Sequence, residues 1–172
     1  MENASPHGTN YISIGWWNTS LRPAGRERSI GTEAKTRLLN VAACSIHNLL
    51  EEQHLDCLAL GEVTRDALDE ISGLVDLSEF ETIASPKSTG RTSFDTAVIF
   101  RRSKLKQMSN RVLVGMRGAN QIRLAHLFVF QSNDEELIHV FVVHWASRLW
   151  MPEGDPRRNA AGNKLKLSLI HI

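Results

Sequence analysis

Three polar residues each stand one step beyond a run of alternating apolar residues. Asn18 follows Ile12, Ile14 and Trp16; Glu62 follows Leu58 and Leu60; His144 follows Ile138, Val140 and Val142. Side chains in an extended strand alternate between its two faces, so each polar group is expected on the face of its apolar predecessors, at the strand's C-terminal end. Glutamate offers hard oxygen to a divalent cation. Asparagine offers donors to developing charge, and histidine moves protons near neutral pH. If the strands lie side by side, the three groups meet at one sheet edge, a usual place for a site in α/β architecture. Each also has a plain structural use. Asn18 can start a turn, Glu62 can face the dipole of the next helix as an N-cap or first-turn acid, and His144 can be a hydrogen-bonded strand-end histidine. Trp16, Trp17, Trp145 and Trp150 gather at two of these strand ends, where packing is the default role and substrate stacking the sharper one.

The elements that must position these groups follow from periodicity. YISIGWW has strand period, and NTSLRPAGRERSIG behind it has none and is a loop. Thr32 is placed to cap a helix reaching to about Gln53, with Leu38, Val41, Ala42, Ser45, Ile46, Leu49 and Leu50 at helical spacing. CLALGEV is a short apolar run suited to a buried strand, and Thr64 to Leu74 is a second helix. Five strand-like runs then follow: FETIAS, FDTAVIFRR, RVLVGM, IRLAHLFVF and LIHVFVVHW. Their separators are SPKSTGRTS, a polar stretch around Ser109 and Asn110, RGANQ and SNDEE. Consecutive strands without helices between them pair antiparallel. The fold class expected is α/β, with a mixed, largely antiparallel sheet and flanking helices. The charged stretch from Pro152 to Lys166 is placed to begin a third helix.

Composition sets the bounds. With 172 residues, 42% hydrophobic and 23% charged, the chain is long enough for one domain with a core, and it is neither disordered nor collagen-like. No apolar run approaches the roughly 20 residues that cross a bilayer. Lys plus Arg total 20 against 19 for Asp plus Glu, so nucleic-acid contact would have to come from a local patch. Cys44 and Cys57 lie among apolar residues without metal-type spacing and read as two buried reduced thiols. The polar start MENASPHGTN has no leader layout. Residues 1–10 are expected as a tail before a domain over 11–172, in a cytoplasmic protein.

Four segments, in order, resemble the endonuclease/exonuclease/phosphatase family, the deoxyribonuclease I-like proteins. ISIGWWNTSL resembles its opening strand ending in Asn. LDCLALGEV resembles its strand ending in a metal-binding Glu, FDTAVIFRRSKL the strand after a Gly- and Arg-containing loop, and FVVHWASR the strand ending in a functional His. PRRNAAGNKL resembles the Arg-led helix that follows. The resemblance implies a Mg²⁺-dependent phosphodiester hydrolase, most of all a nuclease, with Mn²⁺ as a substitute ion. Nucleic acid or another phosphodiester would be its substrate. A phosphatase or lipid phosphodiesterase of the same fold, and a non-catalytic interaction module, are the alternatives. It implies Glu62 as the principal metal ligand, Asn18 as a hydrogen-bonding support of the metal–phosphate site, and His144 at the scissile phosphate or leaving group. Asp95 lies near an acid that orients the histidine in some members, and Arg148 would neutralise phosphate charge.

Two departures from the family pattern carry expectations of their own. Gly61 stands where the family usually has Gln. The later "G-D-F-N" and "S-D-H" motifs are not found within the 172 residues. The chain is therefore expected to be an N-terminal portion, one half of a four-layer α/β/β/α sandwich. Its sheet would keep an open apolar inner face, to be covered by the missing C-terminal half or by a second chain.

Overall fold

Strand β1 (Ile14–Asn18) leads through a connection to helix α1 (Thr32–His47) and then to strand β2 (Cys57–Gly61), which pairs with β1 in parallel. The computed structural model describes residues 11–21, 32–84, 88–89, 92–93, 96–117 and 120–143, with Pro156, Asn159, Gly162, Asn163 and Lys166 as helical positions in the region expected to form a third helix. Helix α1 is shorter than expected. Beyond His47 the chain widens into a π-type turn over 48–52, with the Gln53 N–H bonded to the Asn48 carbonyl at 2.9 Å. Helix α2 (Arg65–Ser72) begins at Thr64, whose side-chain oxygen accepts the Ala67 N–H at 3.1 Å. Strand β3 (Phe80–Ala84), the two-residue pair β4 (Ser88–Thr89) and β5 (Thr92–Ser93), and strand β6 (Thr96–Arg101) follow. Strands β7 (Leu105–Arg117), β8 (Asn120–Ser132) and β9 (Leu137–Val142) complete the order.

These strands make two main sheets. The first has the order β1–β2–β6–β3, parallel between β1 and β2 and antiparallel elsewhere; the second is the antiparallel meander β7–β8–β9. Because β6 inserts between β2 and β3, both of its ladders are occupied, so β7 does not pair with β6 and instead opens the second sheet. The turn falls at Arg102–Lys104, earlier than the polar pair Ser109 and Asn110, which lie inside β7. That strand absorbs its polar residues at an irregularity between Gln107 and Ser109.

The sheet change corrects the expectation of an open inner face. Along β2 and β6, Leu58, Leu60, Ala97 and Ile99 pack with Leu39, Ala42, Ile46, Leu50, Leu68 and Ile71 of the helical layer. The alternate residues Cys57, Ala59, Val98 and Phe100 pack instead with Leu105, Phe128, Phe130 and Val142 of the second sheet. The near-continuous apolar character of β2 is explained by burial on both faces. The layers are α/β/β, and along β2 and β6 the inner face of the first sheet is covered by this chain's own meander, while Ile14 and Trp16 of β1 stay about half exposed. Phe100 and Phe130 meet at 4.8 Å between ring centroids, with Phe128 6.4 Å beyond Phe130.

Two further expectations are corrected. Only Cys57 is buried; Cys44 is exposed on α1. Burial, with the Asp56 charge adding to it, pushes the Cys57 thiol up to about 12, so it is inert at neutral pH. On α1, Leu38 and Val41 are 43% and 58% exposed, because the helix meets the sheet through Leu39, Ala42, Ala43 and Ile46 instead. Among the described residues no helix is long and apolar enough to cross a membrane.

His126 is the buried titratable group of the second sheet, 1% exposed, with its ring 4.0 Å from that of Phe128 and Nε2 3.3 Å from Asn110 Oδ1. Burial pushes it down to about 4 from the ordinary 6.5. The unfolded chain therefore takes up this proton before the folded one does. Stability is full above about pH 6.5 and falls as the pH drops toward about 4. Urea midpoints across that window should decline for the natural chain and decline less for His126→Phe.

Candidate functional site

The described structure brings two of the five predicted site residues to one sheet edge. The parallel register sets Asn18 against Gly61, so Glu62 is the next residue beyond Asn18's partner. Thr19 fastens the two strand ends. Its N–H donates to the Gly61 carbonyl at 3.0 Å, and its hydroxyl lies 3.0 Å from that oxygen and 2.9 Å from the Glu62 carbonyl. Asn18 is exposed, and its Oδ1 accepts the Ser20 N–H at 3.2 Å. It thus makes the turn expected of it and still presents an amide at the edge. Glu62 is neither cap nor first-turn acid, since Thr64 caps α2 and Asp66 occupies its first turn.

Parity alone does not bring the groups together. Ile14 and Trp16 register with Cys57 and Ala59, which face the second sheet, whereas Leu58 and Leu60 face the helices. Continued alternation would therefore put Asn18 and Glu62 on opposite faces. Glu62 escapes the alternation because β2 ends at Gly61 and Glu62 has φ 55°, a left-handed conformation that a non-glycine residue adopts at a cost.

The other predicted residues, Asp95, His144 and Arg148, lie outside the described residues. The elements leading to two of them are described. Strand β6 begins at Thr96, which registers with Gly61 and is 2% exposed. Phe100, opposite Cys57 at the start of β2, touches Phe130, which is opposite Ile138 near the start of β9. Strands β2 and β9 also approach one another. Strand β9 thus sets out beside the start of β2, and its final residue, Val142, packs in the same core. Among the described residues, no three His, Cys, Asp or Glu side chains gather into a metal cage. The donors at the edge, a carboxylate and an amide, suit a hard cation that keeps most of its waters.

Sequence reasoning missed the partnership of Trp16 with Gly61. A Cβ on Gly61 would lie 2.7 Å from Cη2 of the Trp16 indole. The indole occupies the space of a side chain at 61, which accounts for glycine at this position. The signal was present as a bulky residue on one strand and a glycine diagonal to it on the next. Gly61→Ala should cost about 1–3 kcal/mol by overpacking, and the cost should shrink in a Trp16→Ala background. A double-mutant cycle on urea unfolding measures this coupling.

No family sequence profile matches the chain, and no curated protein matches it in sequence. Solved structures do. D. rerio TDP2 complexed with single strand DNA product superposes with a TM-score of 0.62 at 12% identity, over 93% of this chain and 54% of that one. The endonuclease/exonuclease/phosphatase from Bacteroides vulgatus gives 0.54 at 13% identity, over 78% and 52%. A mannosyl-6-phosphatase from Bacteroides thetaiotaomicron gives 0.53 at 13%, over 76% and 50%. The chain spans about half the length of each of these structures. With its layers, its order of elements and its strand-end edge, the chain has the fold of the endonuclease/exonuclease/phosphatase proteins.

Proposed function

We propose that the chain carries part of a Mg²⁺-dependent phosphodiester hydrolase, a nuclease in the first instance. The carrying observation is the edge where β1 and β2 end and β6 begins, with Asn18 and Glu62 held side by side by the Thr19 hydrogen bonds. Glu62 would hold the ion, which when bound supplies Lewis-acid polarisation of a phosphoryl oxygen. Asn18 donates to the charge that builds on the phosphoryl oxygens. His144 transfers a proton at the leaving oxygen, Asp95 orients its ring, and Arg148 neutralises phosphate charge. The TDP2 structure with its DNA product favours a nucleic-acid substrate, and the mannosyl-6-phosphatase favours a phosphomonoester as second reading. One fold hosts both chemistries, so the substrate must be settled at the site.

The attacking and leaving oxygens of an in-line displacement lie on opposite sides of phosphorus. His144 can serve one side only, and the water needs a second base. Lacking one costs about 10²–10⁴-fold in rate, so residues 1–172 alone are expected to be weak or inactive, and to gain activity when the remaining half of the fold is supplied. Binding is the cleaner test. Mg²⁺ should bind weakly, on the order of millimolar for a site with so few carboxylates, and calorimetric titration should show that binding lost in Glu62→Gln. Identical titrations of the two proteins would contradict the assignment.

A further inference from the structure

We propose that Thr19 is a positioning residue, which aims the Glu62 carboxylate by holding the peptide groups on both sides of its α-carbon. The inference rests on the hydrolase reading for the cation that the carboxylate meets, not for the geometry. A side chain leaves its α-carbon in a direction set by the two flanking peptide planes, since φ and ψ are the only soft backbone dihedrals. The plane before Glu62 carries the Gly61 carbonyl, and the plane after it carries the Glu62 carbonyl. Thr19 reaches both. Its N–H donates to the Gly61 oxygen at 3.0 Å, and its hydroxyl lies 2.9 Å from the Glu62 oxygen. The hydroxyl is also 3.0 Å from the Gly61 oxygen, but it has one proton to give. Gly61 already receives the Thr19 N–H, so the hydroxyl proton is needed more at Glu62. The hydroxyl oxygen in turn accepts the Leu21 N–H at 3.3 Å.

Glu62 needs such a hold because its conformation is costly. Its φ of 55° lies in the left-handed region, which a non-glycine residue keeps only where its surroundings over-determine it. The β1–β2 ladder stops at Gly61, and α2 begins only at Arg65 under its Thr64 cap. Between these two elements the Thr19 bonds are what tie Glu62 to β1. Thr19 is itself set by the turn that follows it. Ser20 is left-handed too, also at φ 55°, and its N–H is accepted by Asn18 Oδ1 at 3.2 Å. One turn thus orients both groups of the edge, the Asn18 amide through Ser20 and the Glu62 backbone through Thr19. An apolar residue at 19 would keep the N–H bond to Gly61 and lose the hold on the Glu62 carbonyl.

Three variants test this. Thr19→Val removes the hydroxyl at nearly constant shape, and Thr19→Ser keeps it. Ser13→Ala removes the side-chain bonds to His54 and Asp56 at the opposite end of β1 and controls for loosened pairing. Two quantities are read in each. One is the amide-to-Hα coupling and the carbon shifts of Glu62 without metal, which report its backbone conformation. The other is the Mn²⁺ concentration that broadens the amides at the edge. Thr19→Val should move the Glu62 signature out of the left-handed region and weaken Mn²⁺ binding by about tenfold or more, as loss of a partner behind a metal ligand does. Thr19→Ser should keep both, and Ser13→Ala should lower the urea midpoint while keeping both. Thr19→Ala makes the same comparison if the valine variant does not fold. A Glu62 signature unchanged in Thr19→Val, or changed equally in Ser13→Ala, would overturn the proposal. Mn²⁺ binding that stays the same when the signature moves would overturn it as well. A natural chain that binds no Mn²⁺ would count against the cation reading instead, and the signature measured without metal would still decide the role of Thr19.

Discussion

The register of β1 on β2 is the constraint from which the rest of the molecule follows. It is fixed at both ends by side-chain bonds, not by hydrophobic pattern alone. At the lower end, Asp56 Oδ2 accepts the Ser13 N–H at 2.9 Å, and the Ser13 hydroxyl lies 3.0 Å from the same oxygen. At the upper end Thr19 ties the strand exit to the Gly61 and Glu62 carbonyls. A slip of one residue would reverse every side chain of β1. It would send Ile14 and Trp16 toward the helices and part Asn18 from Glu62. The indole of Trp16 above Gly61 adds a steric key, since the close approach is possible only in this register.

From that pair the layers are built outward. β6 fills the position beside β2 with both its ladders occupied, and the meander that follows it forms a second layer on the sheet. The residues of β2 and β6 divide cleanly between a helix-facing core and a sheet-facing core. Arg101 links layers at the end of β6, with its guanidinium 4.4 Å from the Phe80 ring and a hydrogen bond of 3.1 Å to the Leu50 carbonyl. This leaves the edge with Asn18 and Glu62 supported by two packed cores, while the exposed groups sit at strand ends where main-chain pairing stops. Rigid strands carrying functional groups at their ends hold geometry better than free loops do.

Much of this was legible in the sequence. Alternation located β1 and β9, a short apolar run located β2, and Thr64 marked the start of α2. That Asn18 and Glu62 stand at strand ends could be read from where the apolar runs stop, and the family resemblance supplied their order. Two features were not legible, for physical reasons. Period-2 reasoning is blind to which face is which in a strand buried on both sides, so it could not show that Glu62 must leave the alternation through a left-handed residue. Nor can local pattern show that β6 is flanked on both sides, because strand order is a long-range property. The single-sheet expectation failed there, and the open face with it. Leu38 and Val41 had the right spacing for a core and are exposed, since helical periodicity defines a stripe but not how much of it the sheet will cover.

The central claim is that the edge formed by the ends of β1 and β2 is a cation and phosphoester site. Paramagnetic broadening by Mn²⁺ of the assigned amide spectrum tests it most directly. At low Mn²⁺ the amides of Thr19, Glu62, Val63 and Thr96 should broaden first, and those of Cys57 and Arg101, at the far end of the same strands, should persist. Glu62→Gln should remove the preference. Broadening that starts elsewhere, or that is unchanged in the variant, would contradict the account.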